Sequence, residues 1–139
     1  NMTPAGLSLG FRILGRETKV SGIAPILWDE DRRVDIARIA NATAKLLECD
    51  LELSPSDILS SDEYIGERYG VLTQEGRDAL KLVAETEGIF LDPVYTSKAM
   101  AGMIDQIRKG IIRKNETVVF IHTGGLPALF AYAEDLMLS

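Results

Sequence analysis

Apolar residues recur every three or four positions in several long segments, which is the spacing of an amphipathic helix. The clearest such segment runs from Asp31 to Glu48, with charged residues between the apolar ones. The same spacing predicts a helix from Gln74 to Glu87 that ends at Gly88, and another that Ser97 caps and Gly110 ends. The predicted inner faces of these helices comprise Ile36, Ile39, Ala40, Thr43, Leu47, Ala79, Leu80, Val83, Ala84, Met100, Met103, Ile104 and Ile107.

Two further segments are predicted to be helical. The residues from Pro4 to Leu14 are largely apolar, which indicates a buried helix with Thr3 as its N-cap and Gly15 at its end. Pro4 suits the first helical position, because proline lacks an amide hydrogen that would be unsatisfied there. The segment from Leu126 to Glu134 is the last predicted helix of the chain.

Three apolar, β-branched segments are predicted to be strands. Lys19 to Ile26 has Pro25 near its end, as expected because proline cannot donate to a ladder. Ile89 to Leu91 is short, and Thr117 to His122 is typical of a fully buried strand. Cys49 to Tyr69 is acidic and rich in Ser and Asp, so it is predicted to be mostly loop with a short strand.

The alternation of helices with strands predicts an α/β fold. Parallel strands joined by helices need cover on both faces, so we expect an open, mostly parallel sheet with helices on both sides. The length of 139 residues is that of one domain, and we expect a single α/β unit over residues 1–139.

Composition and charge exclude several classes of function. The net charge of −6 and the pI near 4.8, without a cluster of basic residues, argue against a nucleic-acid partner. No apolar run is long enough to span a bilayer, so no membrane partner is expected. Cys49 is the only cysteine, and no signal-peptide pattern opens the sequence. We therefore predict a cytoplasmic protein and no metal site.

The residues His122-Thr123-Gly124-Gly125 lie between a predicted strand and a predicted helix. Backbone N–H groups at such a turn are suited to an anion or a ring heteroatom. The alternative is that the glycines only allow a tight turn and that His122 is a hydrogen-bonded core residue. On this motif alone, a non-catalytic α/β module that binds a small anion remains open.

Three motifs together carry a resemblance to a known family. They are Glu67-Arg68-Tyr69-Gly70-Val71, the run from Leu91 to Ile104 with its Asp-Pro-Val-Tyr-Thr segment, and the run from Val118 to Phe130. They resemble the C-terminal part of the family of D-cysteine desulfhydrase and 1-aminocyclopropane-1-carboxylate deaminase. The resemblance implies the tryptophan synthase beta-like fold, known as fold type II, and pyridoxal phosphate as cofactor. Small amino acids are the implied substrates.

The resemblance also implies roles for individual residues. Tyr95 and Tyr69 correspond to two catalytic phenols, of which Tyr95 stands beside the cofactor and Tyr69 near the substrate. Thr96 is implied to face the pyridine nitrogen, and Thr123 and Gly124 are further implied cofactor-binding residues. At the N-terminus, Met2-Thr3-Pro4-Ala5-Gly6-Leu7 resembles the end of the family's phosphate-binding loop, so Thr3 is the remaining candidate there.

Thr96 distinguishes between two branches of the resembling family. The deaminase branch has glutamate here, and a carboxylate keeps the ring nitrogen of the cofactor protonated, whereas a hydroxyl need not. The desulfhydrase branch has threonine. The resemblance therefore implies breakdown of D-cysteine to pyruvate, ammonia and sulfide, with 1-aminocyclopropane-1-carboxylate deamination as the alternative.

The chain has six lysines, and none lies in the sequence context of the family's Schiff-base lysine. Lys98 is nearest to the site, but a lysine at a helix start is expected to be solvated, so it is not assigned that role. We therefore expect the chain alone to be inactive, as the C-terminal portion of a larger enzyme. Unpaired strand edges and apolar surface would then favour a homodimer or a larger assembly, with contacts at the helix from Pro4 to Leu14 or at the strand edges.

Overall fold

A computed structural model describes residues 1–137, without the side chain of Met137. Six helices and two strands follow one another: α1 (Met2–Ile13), β1 (Ser21–Ile23), α2 (Arg32–Leu46), β2 (Leu59–Ser61), α3 (Gln74–Glu87), α4 (Thr96–Arg108), α5 (Ala128–Ala131) and α6 (Ala133–Met137). A single 3₁₀ turn, Pro55–Asp57, precedes β2. These residues form two compact units. Unit 1 comprises Asn1–Gly22 and Trp28–Ser61, and unit 2 comprises Ile23–Leu27 and the chain from Asp62 onward.

Unit 1 is built on the packing of α1 against α2. Small residues along α2 let the two helices approach closely. The unit also contains β2 and the first two residues of β1, the strand with which β2 pairs. The Asp31 carboxylate caps α2 by accepting a hydrogen bond from the backbone N–H of Arg33 at 2.9 Å. The buried core comprises Ala5, Leu9, Ile36, Ala37, Ala40, Ala44, Leu53 and Ile58.

The start of α1 differs from the prediction. Asn1 is the N-cap and Thr3 lies exposed within the first turn, so Pro4 is not the first helical residue. A proline is tolerated there because the first-turn amides have no partner inside the helix. The expectation of a buried helix was also wrong, because only Ala5 and Leu9 of α1 are buried.

Unit 2 is built on the packing of α3 against α4. The predicted bounds of α3 are confirmed: Thr73 accepts from the N–H of Gly76 at 3.0 Å, and Gly88 ends the helix in the left-handed conformation at φ +66°. Gly102 on α4 allows close packing, because a Cβ there would lie 2.9 Å from Ile23 and 3.0 Å from Tyr64. The buried core comprises Ala79, Leu80, Val83, Leu91, Met100 and Ala101.

Two of the three predicted strands are not strands in the described residues. The residues 89–91 and 117–122 have no ladder partner, whereas Ser21–Ile23 within the first predicted strand pairs with β2. β-branched residues favour an extended backbone, but a strand also needs a neighbour with which to exchange hydrogen bonds. The short strand predicted between Cys49 and Tyr69 is confirmed as β2.

The remaining helices follow the predictions with local differences. The last predicted helix forms as two short helices, α5 and α6. Leu47 and Ile107, predicted on inner faces, are exposed. Within residues 1–137, no helix combines the length and the apolar character that crossing a bilayer requires.

Candidate functional site

The turn that leads into α4 is organised by a buried carboxylate. Asp92 is 0 % exposed and accepts hydrogen bonds from the backbone N–H groups of Val94 and Tyr95 at 2.8 Å each and of Thr96 at 2.7 Å. These N–H groups at the start of α4 have no partner inside the helix, and a negative charge is favoured there. Asp92, and not the predicted Ser97, therefore satisfies the N-terminus of α4.

Thr96 completes this network. Its hydroxyl donates to Asp92 Oδ1 and accepts from the backbone N–H of Asp92, both at 2.7 Å. Thr96 is 1 % exposed, so its hydroxyl is enclosed. Asp92 and Thr96 consequently bond to each other, and the hydroxyl proton of Thr96 is directed at the carboxylate.

The two predicted phenols meet. Tyr69 and Tyr95 share a hydrogen bond between their hydroxyl groups, and their rings pack edge to face with centroids 5.9 Å apart. The rings are 45 % and 44 % exposed, so both phenols are open to a ligand. The hydrogen bond to Tyr69 raises the pKa of Tyr95, and burial and the nearby carboxylate of Asp92 raise this pKa further.

The turn of residues 122–125 lies beside the Asp92 turn. His122 Nδ1 accepts from the N–H of Gly124 at 3.2 Å, so Nε2 carries the proton and donates to the carbonyl oxygen of Phe90 at 2.9 Å. Gly125, at φ +91°, approaches Asp92 so closely that a Cβ on it would lie 2.6 Å from Asp92 Cγ. The turn of residues 122–125 and the Asp92 turn therefore form one cluster.

Lys98 is buried, contrary to the prediction that it is solvated. It is 0 % exposed, and its ammonium group donates to the carbonyl oxygen of Ile65 at 2.6 Å. Burial lowers the pKa of Lys98. Because this amine is enclosed, Lys98 is not available to an aldehyde, in agreement with its not being assigned as the Schiff-base lysine.

The structure brings together most of the predicted site residues. Tyr69, Tyr95 and Thr96 gather around the Asp92 turn, and Thr123 and Gly124 lie in the neighbouring exposed turn. Thr3 lies in α1 of unit 1, and its assignment to the site stays a prediction.

Sequence reasoning assigned no role to three residues that support the phenols. These are Asp92, the buried Lys98, and Tyr132, whose hydroxyl donates to the carbonyl oxygen of Gly70. Aspartate is a preferred capping residue, so Asp92 was itself a signal that its carboxylate could accept N–H groups near the start of α4. The partners of Lys98 and Tyr132 are 33 and 62 positions away, and no local signal announces such contacts.

Comparisons with known proteins identify the family of this chain. The family model described as "Pyridoxal-phosphate dependent enzyme" matches residues 2–124. Proteins named 1-aminocyclopropane-1-carboxylate deaminase from Burkholderia vietnamiensis and Rhizobium rhizogenes are each 40 % identical, over 132 and 131 residues. The matches cover 95 % and 94 % of this chain but 39 % of each relative, so the chain spans about two fifths of their length.

A solved structure shows which fold this chain shares. A crystal structure of a protein described as an ACC deaminase homologue superimposes with a TM-score of 0.84 at 37 % identity, covering 97 % of this chain and 40 % of the other. This likeness confirms the predicted α/β fold of type II. Pyridoxal phosphate is the cofactor on which the matched family depends. The chain belongs to the family of pyridoxal-phosphate dependent enzymes.

Proposed function

We propose that unit 2 supplies the substrate side of an active site that breaks down D-cysteine into pyruvate, ammonia and sulfide with pyridoxal phosphate. The observation that carries this proposal is the hydrogen-bonded, half-exposed phenol pair of Tyr69 and Tyr95 beside the Asp92 turn. Two phenols in contact can hold or pass a proton and can orient an amino acid's amine and carboxylate.

The described residues fit one side of such a cofactor. The exposed phenols and the exposed turn of residues 122–125 offer polar groups to a flat ring and its substrate. Lys98, the lysine nearest to this turn in sequence, does not supply the covalent amine, because it is enclosed. Pyridoxal phosphate, when bound, withdraws electrons from the substrate carbon next to the amino group.

The phenols act by holding protons. The pKa of Tyr95 is raised, so this phenol stays protonated at neutral pH and serves as a hydrogen-bond donor or acid. Tyr69, in contact with it, can accept or resupply that proton. Elimination of a thiol needs a group that handles a proton near the leaving sulfur, and this pair suits that task.

Thr96 supports D-cysteine as the substrate. The resemblance implies that position 96 faces the ring nitrogen of the cofactor. Thr96 brings no carboxylate there, and its hydroxyl is enclosed and bonded to Asp92, so it does not keep that nitrogen protonated. The weaker electron sink that results is suited to a good leaving group such as a thiolate. The Asp92 carboxylate already fills the space beside Thr96, with Oδ1 at 2.7 Å from its hydroxyl. A glutamate at position 96, as in the deaminase branch, would bring a second negative charge against Asp92.

Deamination of 1-aminocyclopropane-1-carboxylate is the second candidate. It is favoured by the names of the relatives that are 40 % identical to this chain. Thr96 disfavours it, because threonine, unlike glutamate, does not keep the ring nitrogen of the cofactor protonated.

Binding of a small anion without catalysis is disfavoured by two contacts. The N–H groups at the start of α4 are taken by Asp92, and the N–H of Gly124 is taken by His122. An anion at either turn would have to displace an internal acceptor.

The test is product formation by the protein that carries this chain, supplied with pyridoxal phosphate. D-cysteine should give equal amounts of sulfide, pyruvate and ammonia, whereas 1-aminocyclopropane-1-carboxylate should give little ammonia. Ammonia and a four-carbon 2-oxo acid from the cyclopropane substrate alone would support the second candidate. Turnover of neither amino acid would contradict both.

The location and the assembly are also proposed. One free cysteine, Cys49, is consistent with the cytoplasm. Unit 2 exposes large apolar side chains in the segments predicted as strands and after them, including Phe90 at 58 %, Val119 at 76 % and Phe130 at 87 %. We expect a homodimer or a larger assembly, which sedimentation at micromolar concentration would detect. A stable monomer would contradict that expectation.

A further inference from the structure

Lys98 is a buried cation without a carboxylate partner in the described residues. Its ammonium group donates to the carbonyl oxygens of Ile65 at 2.6 Å and of Arg68 at 3.5 Å. Removing an ammonium group from water is costly unless its hydrogens are bonded. A neutral side chain would avoid this cost, so the presence of lysine here indicates a task that its long, donating side chain performs.

The carbonyl groups that Lys98 binds belong to the segment before Tyr69: Arg68 directly precedes this phenol, and Ile65 lies four positions before it. On the other side of this phenol, Tyr132 donates to the carbonyl oxygen of Gly70. The backbone at Tyr69 is thus held at both ends by side chains from later parts of unit 2. Tyr69 itself has no buried ring that would fix it, since it is 45 % exposed.

Lys98 and Tyr95 belong to the same structural element. Tyr95 is the N-cap residue of α4, and Lys98 lies in the first turn of this helix. A contact from Lys98 to the loop that carries Tyr69 therefore ties one phenol to the element that carries the other.

We propose that Lys98 is a positioning residue that holds Tyr69 against the hydroxyl of Tyr95. Its importance for turnover rests on the proposed function of the phenol pair. The contact itself is a property of the chain without cofactor or substrate, so it can be tested separately.

The test is an NMR titration of the 139-residue chain with ¹³Cζ-labelled tyrosine, which gives the pKa of each tyrosine in wild type and in Lys98→Met. The hydrogen bond to Tyr69 raises the pKa of Tyr95, so release of Tyr69 should lower it toward its ordinary value. Removal of a nearby positive charge alone would shift this pKa upward. A fall in the pKa of Tyr95 therefore reports the lost contact and not the lost charge.

Two control variants define the expected size and site of the shift. Tyr69→Phe should lower the pKa of Tyr95 at least as much as Lys98→Met, because it removes the hydrogen bond without removing a positive charge. Lys109→Met removes the exposed C-cap lysine of α4, which pairs with Asp105 at 2.6 Å. It should change the pKa of Tyr64 and leave the pKa of Tyr95 unchanged. An unchanged or raised pKa of Tyr95 in folded Lys98→Met would overturn the proposal.

A second measurement covers a Lys98→Met variant that does not fold. Lys98→Gln retains a hydrogen-bond donor, but its side chain is too short to span the same distance. This variant should also lower the pKa of Tyr95. In the wild type, reductive methylation should modify exposed Lys81 long before Lys98. Equal reactivity of the two lysines would overturn the proposal. Inactivity toward D-cysteine would contradict the proposed function alone, because none of these titrations involves turnover.

Discussion

The two turns that carry the predicted cofactor residues are built in different ways. Residues 91–98 are buried except for Tyr95, and they lead into a helix of 13 residues. Residues 121–127 are exposed throughout, and they lead into a helix of four residues. In the first turn a carboxylate satisfies the helix N-terminus, whereas in the second two glycines with positive φ make the bend.

The difference indicates that the Asp92 turn contributes more to the stability of the site than the turn of residues 122–125. The buried turn meets the needs of its backbone N–H groups internally, so the Asp92 network fixes the positions of Tyr95 and Thr96. The exposed turn is held by His122 and by the close approach of Gly125 to Asp92. We therefore expect substitutions at the first turn to have larger effects.

The largest effect is expected for Asp92→Ala. It would leave three backbone N–H groups and the Thr96 hydroxyl without their acceptor in a buried place, which should lower the free energy of unfolding by about 3 to 5 kcal/mol. Asp31→Ala, at the exposed N-cap of α2, is the matched control and should cost about 1 kcal/mol. Denaturant unfolding followed by circular dichroism measures both. Equal losses would show that the Asp92 network is no stronger than an ordinary cap.

The adjacent glycines 124 and 125 provide a sharper test of the contact between the turns. Both have positive φ, so alanine at either position should cost about 1 to 2 kcal/mol in backbone strain. Gly125→Ala should cost about 1 to 3 kcal/mol more, because its Cβ would overlap Asp92 while that of Gly124→Ala meets open space. The unfolding free energies of the two variants give this difference directly. If it is zero, the two turns do not meet at Gly125.

Much of the fold could be predicted where the signals are local. The bounds of α3 follow from apolar spacing, the Thr73 cap and Gly88 at the end, all within one segment. The failed strands at residues 89–91 and 117–122 depend on neighbours that spacing does not reveal. The burial of Lys98 likewise depends on a carbonyl group 33 positions away.

The candidate site was predicted unevenly for the same reason. The resemblance implied that Tyr69 and Tyr95 belong to one site, but not that they touch, and the structure joins their hydroxyls in a hydrogen bond. The cap of α4 was assigned to Ser97, although Asp92 also carried a capping signal. Asp92 and Ser97 are both capping residue types, and the sequence alone does not show which of them caps α4. The close approach of Gly125 to Asp92 is a tertiary contact that the local sequence does not reveal.

The smallest expected effect is a pH dependence of the exposed phenol pair. The pKa of Tyr95 is raised above 10.0, so its contribution to stability is fully present below pH 10. This contribution is lost as the pH rises through the raised value in the folded chain. Wild type should therefore lose more stability than Tyr69→Phe between pH 9 and pH 11, as measured by denaturant midpoints. Identical losses would mean that the phenols do not share a hydrogen bond in solution.

The central claim is that the phenols of Tyr69 and Tyr95 donate or accept protons during turnover. Turnover of D-cysteine by Tyr69→Phe and Tyr95→Phe tests this claim most directly. The measurement is kcat for sulfide release by the protein that carries this chain, with Lys81→Met on the exposed face of α3 as the control. Loss of a positioned proton donor or acceptor should lower kcat by about 100-fold or more in each phenylalanine variant, with the control at the wild-type rate. Wild-type turnover by either phenylalanine variant would contradict the account.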